Sequence, residues 1–91
     1  MFQTKILGNF FQAKTDEYIN EFIPIIDALK LQGKTDGILT YDPPLEQNAL
    51  TRYYIRTWID LPAAEEWITL RTAICVKHGI DHETYSITEI V

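Results

Sequence analysis

The stretch from Leu50 to Ile59 constrains this chain most. One side of it reads Thr51, Tyr53, Ile55, Thr57, Ile59, and the other reads Leu50, Arg52, Tyr54, Arg56, Trp58. β-Branched and aromatic residues dominate both sides, which fits an extended strand on a pleated surface. Neither side is plainly a solvent face. Such a strand needs cover on both sides: helices of the same chain supply one, and the apolar area left on the other calls for a partner or a cavity.

The segments around it supply the elements. From Phe2 to Phe10 apolar residues alternate, with Phe2, Ile6 and Phe10 on one side and Gln3, Lys5 and Asn9 on the other, the period of a half-buried strand. Leu7 and Phe11 interrupt the polar side, so that face is also expected to be covered. Thr15, Asp16 and Glu17 read as a helix start, where a hydroxyl takes an orphan amide and acids answer the dipole. Tyr18, Phe22, Ile25, Ile26 and Leu29 then trace one helix face, and Gly33 fits a left-handed cap. Pro24 falls inside this helix and removes the bond to the Asn20 carbonyl, which leaves one kinked helix or two shorter ones.

Thr35-Asp36-Gly37 is turn chemistry, Ile38 to Tyr41 a short strand, and Asp42-Pro43-Pro44 its stop. Asp60-Leu61-Pro62 opens a second helix with Glu65 and Glu66 near its positive end. Ala63, Ala64, Trp67, Leu70, Ile74 and Cys75 share an arc of this helix, Gly79 ends it, and Ile80 folds back on Cys75. Thr84 to Val91 alternates as a last strand. The predicted order is β-α-β-β-α-β: an α+β sandwich in which two right-handed crossovers lay both helices on one face of a four-stranded antiparallel sheet.

At 91 residues, with 46% hydrophobic and 23% charged, residues 1–91 are expected to form a single domain. The net charge of -5, with no basic cluster, disfavours nucleic acid. No run of apolar residues is long enough to span a membrane, and no signal peptide is readable at the N-terminus. Cys75, the single cysteine, cannot form an internal disulfide, so a soluble, cytoplasmic protein is expected.

If the helices take the Tyr53/Ile55/Ile59 side, the uncovered face carries Arg52, Tyr54, Arg56 and Trp58, joined by Lys5, Leu7, Asn9 and Phe11. Arg52, Tyr54, Arg56, Trp58, Leu7 and Phe11 are then the expected contact surface of a homodimer, in which a two-fold axis uses each residue twice. Arg52 and Arg56, with Tyr54 and Trp58 beside them, also read as an anion-binding wall. The plainer account is cation–π packing and salt bridges within that interface.

This element order, with aromatic residues on the uncovered face, resembles the dimeric α+β barrel superfamily, which includes the antibiotic-biosynthesis monooxygenases and other small ferredoxin-like proteins. The resemblance covers nearly the whole chain as a pattern of elements. It implies a cavity between sheet and helices, where family members act on aromatic compounds without metal or flavin, and Asn9, Trp58 and His78 are its imaginable lining. No catalytic residue follows from it. The run Arg56 to Ile68, a strand entering a helix through Asp60 and Pro62, also resembles segments of small proteins of tailed marine phages.

Arg71 falls in the middle of the second helix's apolar arc. Two roles fit it: a rigid donor fork aimed at a ligand carboxylate or phosphate, or a stem packed on Trp67 with its head in water or paired with Glu66 or a strand carboxylate. With Trp58, Asn9 and Arg56 it makes the expected ligand-binding set. Cys75, His78 and His82 have zinc-capable side chains, yet the helix end at Gly79 separates the histidines and no fourth ligand is evident, so no metal and no cofactor is expected. No nucleophile–base signature or glycine-rich phosphate loop occurs, and the segment from Asp42 to Asn48 reads as a long hairpin connection. The leading expectation is a homodimeric binding or assembly module, with an accessory role in a phage-like setting. The alternatives are a cofactor-independent monooxygenase-like enzyme and a binder of a small aromatic or acidic compound.

Overall fold

The computed structural model describes residues 1–9, 12–42, 51–78 and 85–90, with backbone alone at 8–9, 12–19, 42 and 51–52. In chain order the elements are β1 (Phe2–Asn9), α1 (Gln12–Leu31), β2 (Thr40–Asp42), β3 (Thr51–Trp58), α2 (Leu61–Lys77) and β4 (Tyr85–Glu89). The strands form one antiparallel sheet in the order β2-β3-β1-β4. This is the α+β, ferredoxin-like β-α-β-β-α-β arrangement expected from the pattern of elements. Phe10, Phe11, residues 43–50, Gly79, Ile80, His82, Thr84 and Val91 lie outside the described residues. So do the side chains of Asn9, Thr15, Tyr18 and Arg52. Among the described residues no helix is long and apolar enough to cross a membrane.

Helix α1 is a single helix that begins at Gln12, three residues before the expected start at Thr15. It runs through Pro24 unsplit. Asn20 and Pro24 both face outward, so the carbonyl deprived of its helical donor lies on the solvent side of the helix, where the missing bond costs least. The opposite side buries Phe22, Ile26 and Leu29. Gly33, at φ 74°, closes the helix as read from the sequence. The Lys34 N–H donates to the Leu29 carbonyl and the Gly33 N–H to the Lys30 carbonyl, each at 3.0 Å, the paired bonds of a Schellman cap.

Strand β2 starts two residues later than expected. The Asp36 carboxylate accepts the Ile38 N–H at 2.9 Å, a local side-chain bond that holds this backbone in a turn and out of the ladder. Helix α2 begins as read: Asp60 is the N-cap, its Oδ1 accepting the Ala63 N–H at 2.9 Å, with proline in the first turn.

The face covered by the helices is the reverse of the one expected. Trp58 is 0% exposed, and Ile6 and Thr4 are buried with it. In the antiparallel register Phe2 pairs with Trp58, Thr4 with Arg56 and Ile6 with Tyr54, so Tyr54, Arg56 and Trp58 all point toward α1 and α2. The open face carries Gln3, Lys5, Leu7, Tyr53, Ile55 and Thr57 instead. Trp58 stacks on Trp67 of α2 with centroids 5.8 Å apart, and Phe22 of α1 meets the Trp67 ring edge-on at 5.6 Å. One aromatic column thus joins both helices to one side of the sheet. The buried indole Nε1 of Trp58 donates to Thr4 Oγ1 at 2.8 Å, so its polar atom is satisfied.

That bond yields the first prediction. Thr4→Val keeps the shape but leaves the indole N–H unpaired in the core, at an expected cost of about 1–3 kcal/mol. Chemical denaturation measures it; a loss below about 0.5 kcal/mol, the size of an ordinary surface substitution, would contradict the assignment.

Candidate functional site

Beside the Trp58–Trp67 stack, residues of α2, β1 and β4 line a half-open cavity of about 530 Å³. Its size is within the range of small-molecule sites, ~300–1,000 Å³. Ile6 forms the floor with Tyr85, its cross-strand partner on β4. Ile68, Arg71, Thr72 and Cys75 of α2 form the wall, and Thr69 stands at the mouth. Spacings of three and four residues bring Ile68, Arg71, Thr72 and Cys75 to one helical face. Ile6, Ile68, Arg71 and Cys75 are buried, whereas Tyr85 is 54% exposed, so the lining runs from buried side chains at depth to an exposed rim.

Arg71 is only 5% exposed. Its guanidinium carbon lies 5.1 Å from the Phe22 ring centroid, and one terminal nitrogen approaches Cys75 Sγ at 4.0 Å. The expected alternative of a head reaching water is therefore corrected: α1 closes over the guanidinium through Phe22 and keeps it inside. Burial pushes the Cys75 thiol above its usual range, with Arg71 acting in the opposite direction, so the sulfur is a neutral lining group at neutral pH rather than a nucleophilic thiolate.

The structure brings only part of the expected ligand set together. Arg71 lines the cavity. Trp58 does not; it is sealed between Thr4 and Trp67 and has no surface to offer a ligand or a second subunit. Arg56 stands one strand away from the cavity floor, its guanidinium carbon 5.5 Å from the Trp67 centroid. Burial pulls its pKa down, opposed by Tyr41 and deepened by the charge of Arg71. Tyr54 meets Tyr41 edge-on under the helices, at 5.2 Å. Of the expected dimer contacts, Leu7 alone is described on the open face. The sequence reading missed Ile6, Ile68, Thr72 and Tyr85 as cavity residues. The signal for the α2 members was their helical spacing from Arg71; Tyr85 depended on a β1–β4 register that one sequence does not carry.

Two of the three zinc-capable side chains, Cys75 and His78, are described. Cys75 turns to the cavity, while His78, the C-cap of α2, turns to Glu21 of α1. His82 lies outside the described residues. Glu21 accepts from both Lys77 and His78, tying the end of α2 to the middle of α1, and Lys34 ties the other end through Glu66 at 2.7 Å.

No protein-family model matches this chain, and no curated protein or solved structure matches it significantly.

The Glu21 cluster gives a pH prediction. Hydrogen bonding from Lys77, then from His78, holds the Glu21 carboxyl below its ordinary range, outweighing the opposite effect of burial. A carboxylate with a depressed folded pKa stabilises the fold above its unfolded value, about 4.3, and loses that contribution as pH falls through the lower folded value. Wild type is therefore expected to be more stable than Glu21→Gln at neutral pH, with the difference shrinking below about pH 4.3. Urea midpoints across the acid range measure this, and a difference that widens on acidification would refute it.

Proposed function

We propose that this chain is a small-ligand-binding module whose cavity between α2 and the β1–β4 edge takes a compact, largely apolar acid. What supports this reading is one observation: a buried guanidinium, that of Arg71, belongs to the wall of a cavity of about 530 Å³ that is otherwise formed by Ile6, Ile68, Cys75 and the hydroxyl-bearing Thr69, Thr72 and Tyr85. An apolar wall with few polar groups is the usual composition of a ligand site. A guanidinium is chemically matched to a carboxylate, and the hydroxyls near the mouth suit a polar end that stays hydrated.

The expected outcome is saturable binding of a benzoate-sized acid, read by NMR shifts at residues around α2 and β4. The neutral amide of the same acid should bind at least tenfold more weakly, about 1.4 kcal/mol. Arg71→Met keeps most of the stem volume and should show the same loss. Equal affinity for acid and amide, or an unchanged Kd in Arg71→Met, would overturn the proposal.

A second reading, the homodimer, is favoured by a different surface from the one first expected. Leu7 and Tyr53 are paired across β1 and β3 on the open face, and Ile55 lies beside them opposite Lys5, whose ammonium sits 4.7 Å from the Tyr53 ring centroid. Light scattering at tens of micromolar is expected to give twice the 10.6 kDa chain mass, and Ile55→Asp to halve it. A monomer mass for wild type contradicts this reading and leaves the cavity proposal intact.

A further inference from the structure

Arg56 is a partly buried cation with no hydrogen bond or ion pair to its guanidinium among the described residues, whereas Lys30, on α1, is exposed. Lys34 is paired with Glu66, Lys77 with Glu21, and Lys5 lies over Tyr53. Around Arg56 there is an aromatic bed, the Trp67 ring at 5.5 Å, and the phenol of Tyr41 within electrostatic reach. The carboxylate whose field reaches it, Asp36, is engaged by the Ile38 N–H. Arg71 adds a second positive charge from the helix above. Arg56 and Arg71 thus both face the covered side of a protein whose net charge is -5.

A cation held out of water without an anion carries a desolvation cost that an incoming anion offsets. The Trp67 indole beneath the guanidinium is a face that a cation favours, and the guanidinium itself is a planar donor fork. We propose that Arg56, beside Tyr41 and Trp67, is a binding position for a small oxyanion that presents two oxygens to the fork through charge-assisted bonds. The shared chemistry is that of a phosphate group or a carboxylate. Arg56 belongs to β3, whereas the cavity floor belongs to β1 and β4, so this position does not depend on the cavity reading.

The test titrates the full chain with inorganic phosphate and, separately, with acetate, at ionic strength held constant with chloride. Tryptophan emission and thermal midpoint are followed, because Trp67 lies against Arg56. A saturable emission change and a raised midpoint with at least one oxyanion, weakened at least tenfold in Arg56→Met, are expected. A response to phosphate alone assigns the position to phosphate groups, and a response to acetate extends it to carboxylates. Arg56→Lys keeps the charge but loses the fork, and is expected to bind several-fold more weakly; it decides the matter if Arg56→Met fails to fold by circular dichroism. A response no different from that of chloride overturns the proposal, as does a saturable response unchanged in the variants.

Discussion

The stacking of Trp58 on Trp67, with the Trp58 N–H bound to Thr4, decides which side of this sheet is inside. Trp58 sits at the last position of β3, two residues before the Asp60 cap of α2, so the chain turns back over that ring within a few residues. Once the indole is inside, the period of two along β3 carries Arg56 and Tyr54 inside as well. The β1 register then brings Phe2, Thr4 and Ile6 beside them. A slip of one residue would transfer the entire set to the open face.

This constraint is the source of the electrostatic character of the interior. The same alternation that buries Trp58 buries part of Arg56, and the same helical face that buries Trp67 buries Arg71 one turn later. Both guanidiniums lie over aromatic rings, Trp67 and Phe22, that accept a cation against their faces. Apolar packing at one end of α2 and a cationic cavity wall toward the other are thus two results of one helix orientation. Lys34–Glu66 and the Glu21–Lys77–His78 group then hold the two helices to each other at the solvent boundary.

Much of this was legible in the sequence, and what was not has a physical cause. Element order followed from local signals: the Asp60-Leu61-Pro62 start, the Gly33 cap and the apolar stripe through Phe22, Ile26 and Leu29 each act within a turn or two. The start of α1 at Gln12 was not legible, because the cap-like Thr15-Asp16 that suggested a boundary is accommodated inside the helix. The inside of β3 was ambiguous, since Tyr53, Ile55 and Ile59 offer about as much apolar surface as Tyr54 and Trp58, and two arginines argued for the outside. Pairing with β1 resolved it, and pairing is a long-range property. Arg71 was identified as a site residue from its place on the wheel, but its enclosure depends on Phe22, forty-nine positions away in sequence and adjacent only across the helix interface.

The central claim is that both tryptophans are interior, at 0% and 2% exposure, on the side of the sheet that the helices cover. Acrylamide quenching of tryptophan emission in the folded chain addresses this directly, because Trp58 and Trp67 are the chain's two tryptophans. The account predicts blue-shifted emission and weak quenching that become red-shifted and strong only on unfolding. Emission in native buffer resembling that of the unfolded chain, with one or both indoles freely quenched, would contradict it.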